Sequence, residues 1–74
     1  SAGEAVRTIQ SQLNRISGSF PAIPKVAVDG VYGQQTQAAV RTFQQIFHLP
    51  QTGSVDFATW YRISNVFVAV ADLA

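Results

Sequence analysis

The sequence contains one short turn-and-helix element twice, at a spacing of 23 residues. Shifting the chain by that interval aligns DGVYGQQTQAAV at 29–40 with TGSVDFATWYRI at 52–63. Gly30 aligns with Gly53, and a glycine can take the positive φ that a tight turn requires. In the second copy Asp56 is a favourable N-cap residue. We interpret the element as the start of a helix, used twice.

Two aligned threonines support a structural role for this element. Thr36 and Thr59 each fall in the first turn of a predicted helix, on its apolar side. We expect their hydroxyls to bond back to the loop backbone. A phosphate-binding loop would need more glycines and a following Lys with Ser or Thr, but Gln34 and Gln35 follow Gly33. The element is therefore not predicted to bind a nucleotide.

Apolar residues recur at helical spacing in three segments, which predicts three helices. The first is predicted at about 4–17 with Gly18 as its stop, the second at about 34–47, and the third from residue 57 onward. The predicted core residues are Val6, Ile9, Leu13, Ile16, Ala39, Val40, Phe43, Ile46, Phe47, Phe57, Trp60, Ile63, Phe67 and Val70. A chain of 74 residues without cysteine depends on helix packing for its stability. The predicted fold class is all-α, a compact three-helix bundle with a duplicated turn-helix element.

Two further stretches need an interpretation. The segment at 17–30 is rich in glycine and proline and is predicted to be a surface loop anchored by Phe20, Ile23 and Val26. The β-branched run VFVAV at 66–70 is compatible with a strand, but a lone strand has no backbone partner, so we favour a continued helix. The apolar residues expected off the core face of this helix, and available to a neighbouring domain, are Tyr61, Val66, Val68 and Leu73.

These motifs resemble the peptidoglycan-binding domain family, the small three-helix modules appended to bacterial cell-wall hydrolases. The resemblance is carried by IQSQL at 9–13, DGVYGQQTQAAVRTFQ at 29–44 and TGSVDFATWYRI at 52–63. The chain departs from the family pattern in that Tyr32 replaces a phenylalanine, Asp56 replaces a glycine, and the loop before residue 29 is longer.

The resemblance implies a peptidoglycan-binding-like domain at 4–74, with residues 1–3 as a linker or a remnant of cloning. It also implies a noncatalytic module that targets a tethered catalytic domain to the bacterial wall, and thus an extracellular location at the cell wall or spore cortex. The alternative is a protein-interaction or regulatory domain that docks on the catalytic domain of its parent through Tyr61, Val68 and Leu73. The parent would be a cell-wall hydrolase, amidase or peptidase.

A receptor for wall polymer needs amides, a flat aromatic ring and a cation. The first turn and the second helix offer these groups together. The candidate ligand-binding residues are Asp29, Tyr32, Gln34, Gln35, Arg41, Gln44 and Gln45. Whether they contact a glycan strand or a stem peptide stays open at this point. Trp60 is expected in the core with Phe57 and Ile63, with a role as a ligand platform as the alternative.

Other chemistries find little support in the residues. His48 is the single histidine and is expected at a helix end, so neither a serine-type catalytic set nor a metal site is predicted. Asp29 and Asp56 are expected to stabilise the two turns, which argues against their acting as the two catalytic carboxylates of a glycosidase. A formal charge of +1 without a basic run argues against nucleic acid. No apolar run reaches about 18 residues, so no membrane insertion is predicted, and no cofactor is expected.

Overall fold

The computed structural model describes residues 3–73, apart from the side chain of Leu73. Within that part of the chain there are three α-helices and no β-strand: α1 (Glu4–Ser19), α2 (Gln34–Ile46) and α3 (Phe57–Leu73). Helix α1 packs mainly against α3 and more lightly against α2. The predicted all-α, three-helix class is confirmed. None of these helices combines the length and hydropathy needed to cross a membrane.

Every helix and the long loop contribute side chains to one core. Phe43 lies in it fully buried, and Phe20 and Phe47 pack at its edge with their ring centroids 5.2 Å apart. The buried apolar cluster consists of Ile9, Leu13, Ile16, Ile23, Val26, Ala39, Val40, Phe43 and Ile63. The loop anchors and most of the predicted core residues are thus confirmed, with Ile46, Phe47 and Phe67 partly buried against the cluster.

The prediction for the inward face of α3 is partly wrong. Phe57 is 82% exposed and Trp60 is 39% exposed, although the helical period predicts both in the core. Ile63 is buried as predicted, and Thr59, four positions before it on the same helical face, is buried as well. The helix is turned so that the Thr59 hydroxyl meets a buried hydrogen-bond donor on α2, and this setting directs Trp60 away from the core centre.

The end of α3 is helical through the VFVAV run at 66–70, as predicted. Tyr61 and Val68 are exposed, which confirms their position off the core face. Val66 packs against the core cluster instead, because it shares a face with Ile63 three positions before it. The side chain of Leu73 lies outside the described residues.

Helix α1 is predicted to stop at Gly18, but it continues through Gly18 to Ser19. The Phe20 N–H closes the last turn on the carbonyl of Ile16 at 2.9 Å. Just before it, the Ser17 hydroxyl donates to the carbonyl of Ile23 at 2.6 Å. The loop is held against these final turns, so the helix keeps its geometry despite the glycine.

Asn14 is a second side chain of α1 that holds the long loop in place. Asn14 pairs in both directions with the backbone of Val26: its Nδ2 donates to the carbonyl and its Oδ1 accepts from the N–H, each at 2.8 Å. At the other end of α1, the Gly3 N–H donates to the carbonyl of Gly30 at 3.0 Å. Residues 1 and 2, part of the stretch predicted as a linker, lie outside the described residues, and the domain boundary stays a prediction.

Helix α2 ends in a Schellman motif, with His48 in the left-handed conformation at φ 60°. The His48 N–H donates to the carbonyl of Gln45 at 3.3 Å, and the Leu49 N–H donates to the carbonyl of Gln44 at 2.7 Å. The predicted location of His48 at a helix end is confirmed. The histidine completes the cap through its backbone, in a conformation that glycine adopts without steric cost.

We expect His48→Gly to raise the free energy of unfolding by about 1 kcal/mol, because the left-handed conformation costs roughly that much for a residue with a Cβ. Chemical denaturation of the two proteins measures the difference. His48→Ala is the matched control, since it removes the imidazole but keeps the Cβ and its conformational cost. If His48→Ala stabilises the domain as much as His48→Gly, the backbone explanation is wrong.

Candidate ligand-binding site

The first turn, at 29–33, is built around the buried side-chain amide of Gln10 on α1. Its Oε1 accepts from the N–H groups of Asp29 and Gly30, both at 3.0 Å. Its Nε2 donates to Asp29 Oδ1, to the Val31 carbonyl and to Thr36 Oγ1, each at 3.0 Å. One side chain that is only 1% exposed therefore fixes both the turn and the start of α2.

The second turn, at 52–56, repeats this arrangement around Gln44 on α2. Gln44 Oε1 accepts from the Gly53 N–H at 3.0 Å. Its Nε2 donates to Thr52 Oγ1 at 3.2 Å, to the Ser54 carbonyl at 3.0 Å and to Thr59 Oγ1 at 3.1 Å. Gly30 and Gly53 have φ values of 77° and 75°, which confirms that the two glycines occupy equivalent turn positions.

The duplication includes the preceding helices, and this part was not visible in the aligned motifs. The first turn glycine lies against Gly3, which directly precedes α1, and against Arg7 of α1, and the second lies against Gln37 and Arg41 of α2. Corresponding residues before the turns are 34 positions apart, whereas the turn residues are 23 apart. The pairs at the longer spacing are Gly3 and Gln37, Arg7 and Arg41, and the buried glutamines Gln10 and Gln44. Between its buried glutamine and its turn glycine the first unit therefore has 11 extra residues, which lie partly in the longer end of α1 and partly in the loop, so no single shift of the sequence aligns both parts.

Two predictions about these polar groups are wrong. The hydroxyls of Thr36 and Thr59 accept hydrogen bonds from the buried glutamines and do not bond to the loop backbone. Gln44, a candidate ligand residue, is fully buried and so does not belong to the exposed face of α2. Its amide carries both donor and acceptor atoms, which lets it satisfy the backbone of a turn without water.

Each turn also holds a carboxylate in its charged form. The Val31 N–H, followed by the Gln10 amide, lowers the pKa of Asp29 below its usual value of 3.8. The backbone N–H of Thr59, followed by its hydroxyl, lowers the pKa of Asp56 in the same way. Asp56 Oδ1 accepts from the Thr59 N–H at 2.9 Å, which confirms the predicted N-cap of α3.

These lowered pKa values predict acid sensitivity. A carboxylate with a depressed folded-state pKa stabilises the fold above its unfolded-state pKa of about 3.9, and that contribution is lost as the pH falls through the folded-state value. We expect the denaturation midpoint to be level between about pH 7 and pH 5 and to fall below about pH 4. An Asp29→Asn, Asp56→Asn variant keeps an oxygen acceptor at each site and is expected to show a weaker decline. Equal declines in the two proteins would contradict this origin.

An open groove lies between the start of α1, the two turns and α3, and we call it the aromatic groove. It has a volume of ≈ 300 Å³. Its lining residues are Ala5, Val6, Ile9, Tyr32, Ser54, Val55 and Trp60. Tyr32 and Trp60 are 38% and 39% exposed, so each ring is partly supported by protein and partly open to a ligand.

The ring of Tyr32 is held in place at this groove. Its hydroxyl donates to the Gly53 carbonyl at 2.5 Å and so connects the first turn to the second. Partial burial raises the pKa of the Tyr32 phenol above its usual value of 10.0. The hydroxyl therefore stays protonated at neutral pH and serves to position the ring.

A second groove of ≈ 290 Å³ lies beside the first turn, and we call it the polar groove. Three of the candidate ligand residues, Asp29, Gln34 and Gln35, come together in its lining. Arg41 and Gln45 are exposed on α2 and line neither groove, although Arg41 lies against the second turn. A role in ligand binding stays a prediction for each of these five residues.

Trp60 lines the aromatic groove, although the sequence pattern favours a core position for it. The spacing of Trp60 to Ile63 and Phe67 is that of residues on one helical face, so the helical period by itself favours burial of Trp60. The aligned threonines contained the missing signal. If Thr59 faces inward as Thr36 does, its direct neighbour is rotated by about 100° and points to the side of the helix. That rotation places Trp60 at the groove.

Within residues 3–73, no group of three or more His, Cys, Asp or Glu side chains is placed to hold a metal ion.

Comparison with known proteins identifies the class of this domain. Residues 2–63 match the family described as "Putative peptidoglycan binding domain", and the chain belongs to that family. The match covers both duplicated units and ends within α3. Members of this family are modules that bind peptidoglycan and occur attached to hydrolases.

One relative shows such an attachment. The chain is 38% identical over 63 residues to the zinc D-Ala-D-Ala carboxypeptidase of Streptomyces albus G. The alignment covers 85% of this chain but only 24% of that enzyme, so the chain spans about a quarter of the relative's length. No solved structure matches the chain.

Proposed function

We propose that this domain is a noncatalytic module that holds an attached cell-wall hydrolase on peptidoglycan, with the aromatic groove as its main contact. The observation that supports this proposal is the pair of half-exposed rings, Tyr32 and Trp60, in an open groove of a peptidoglycan-binding family member. The proposed location is extracellular, at the cell wall or spore cortex. We propose a hydrolase as the attached partner because the relative is a D-Ala-D-Ala carboxypeptidase.

The chemistry of the surface suits such a tether. Only 12% of the residues are charged and the formal charge is +1, so the surface neither attracts polyanions strongly nor repels the wall. Asp29, Gln34 and Gln35 place carboxylate and amide groups in the polar groove beside the first turn. A tether raises the local concentration of substrate for its enzyme, so weak binding at these grooves is sufficient.

A second function has its own supporting observation, the apolar outer face of α3. Phe57, Tyr61 and Val68 are all more than half exposed, and the rings of Phe57 and Tyr61 stack with centroids 6.3 Å apart and planes at 19°. Such a face is suited to docking on a catalytic domain. In that case Tyr61→Ser with Val68→Ser weakens association with the catalytic domain while wall retention persists.

The proposed function is tested by sedimentation of the isolated domain with purified sacculi. We expect the domain to pellet with sacculi in a saturable manner and to be released by soluble wall fragments. An inert protein of similar size and charge is the control, because net charge by itself produces some adsorption. Retention of the domain no greater than that of the control would disprove wall binding.

A further inference from the structure

The aromatic groove has no charged side chain in its lining. Its apolar part is formed by Val6, Ile9 and Val55, with Tyr32 and Trp60 as the aromatic members. Stem peptides carry carboxylates, and burying a charged group without a partner is costly. The groove is therefore suited to an uncharged part of the wall polymer.

The hydrogen-bonding groups of the groove narrow its ligand further. The Tyr32 hydroxyl already donates its proton to the Gly53 carbonyl. The indole N–H of Trp60 makes no hydrogen bond with the described residues, and the Trp60 side chain is 39% exposed at the groove. An indole N–H can only donate, so the ligand must supply an acceptor. The groove thus combines apolar surface, a fixed ring and one donor.

We infer that the aromatic groove binds an N-acetylated amino sugar of the glycan strand. The acetamido carbonyl accepts from the Trp60 indole N–H, the methyl group contacts the apolar lining, and the C–H face of the sugar stacks on an aromatic ring. The volume of ≈ 300 Å³ is at the small end of ligand pockets, which suits one sugar residue. This inference rests on the proposed function, because it names the part of peptidoglycan that the groove recognises.

The single tryptophan of the chain makes the inference directly measurable. The domain is titrated with three soluble probes: a β-1,4-linked N-acetylglucosamine oligomer, a glucose oligomer of equal length and linkage, and a free stem peptide. The readouts are Trp60 fluorescence and the NMR resonance of its indole N–H. We expect the N-acetylated oligomer to shift both signals, and the other two probes to need at least about tenfold higher concentrations.

A variant then tests the hydrogen bond itself. Trp60→Phe keeps an aromatic ring but has no N–H donor, and we expect it to bind the N-acetylated oligomer roughly three- to tenfold more weakly. Binding is measured from the backbone resonances of Ala5 and Val55. Tyr61→Ala, which removes an exposed ring of the same helix outside the groove, is expected to bind as the unaltered domain does.

The outcomes separate this inference from the proposed function. If the domain pellets with sacculi but the indole resonance responds to the peptide or to none of the probes, the sugar assignment is wrong and wall binding stands. Wild-type affinity of Trp60→Phe for the oligomer would also overturn the assignment. If the oligomer shifts the indole resonance but sacculi retain no protein, the groove binds a sugar and the tethering function is wrong.

Discussion

Gln44→Leu is expected to lower the free energy of unfolding by about 2–4 kcal/mol, since each buried polar group that loses its partner costs about 1–3 kcal/mol. The substitution keeps a side chain of similar size but leaves the buried Gly53 N–H without its acceptor. It also removes the donor to the buried Thr59 hydroxyl and to the Ser54 carbonyl. A domain of 74 residues has a total stability of about 4–11 kcal/mol, so this loss is a large share. Urea denaturation followed by circular dichroism measures it.

Gln45→Leu is the matched control. Gln45 is the next residue of the same helix but is exposed, and no hydrogen bond of its side chain to the described residues is present. We expect a change within about 0.5 kcal/mol, as for surface substitutions in general. If the two leucine variants lose the same stability, the role of the buried amide in holding the second turn is wrong.

The second large effect is expected at the aromatic groove. Trp60→Ala is expected to reduce retention on sacculi about tenfold or more, because a well-placed aromatic contact contributes on the order of 1–2 kcal/mol to binding. The domain remains folded in this variant, since Trp60 is 39% exposed and does not belong to the buried core cluster. Sedimentation over a range of sacculus concentrations gives the change in affinity, and circular dichroism verifies the fold.

Two further variants make this result interpretable. Phe57→Ala removes a ring that is 82% exposed and lies one turn before Trp60 but does not line the groove, so retention is expected to be unchanged. Tyr32→Phe keeps the ring of the groove and loses only the hydrogen bond to the Gly53 carbonyl, so binding is expected to persist with somewhat lower stability. Equal losses of retention for Phe57→Ala and Trp60→Ala would place the contact on the outer face of α3.

Much of the fold could be predicted because its signals are local. Helix periods, the Asp56 cap and the positive φ of Gly30 and Gly53 depend on neighbouring residues, and all are present in the structure. The candidate site was only partly predictable. The sequence predicts Tyr32 as a ligand residue, and Tyr32 does line a groove. It favours a core position for Trp60, because a helical period alone does not specify which way a helix is rotated against its neighbours.

Local sequence signals are enough to place the starts of the three helices and the two equivalent glycine turns that precede two of them. Which polar side chains are buried depends on how the helices pack: Gln44 and the adjacent Gln45 have the same helix propensity, but only Gln44 points at the N–H and carbonyl groups of a turn. Packing also sets the rotation of α3, because the buried Thr59 hydroxyl meets Gln44 there and leaves Trp60 at the groove. Both results depend on partners that are distant along the chain, and their geometry exists only once the helices have packed.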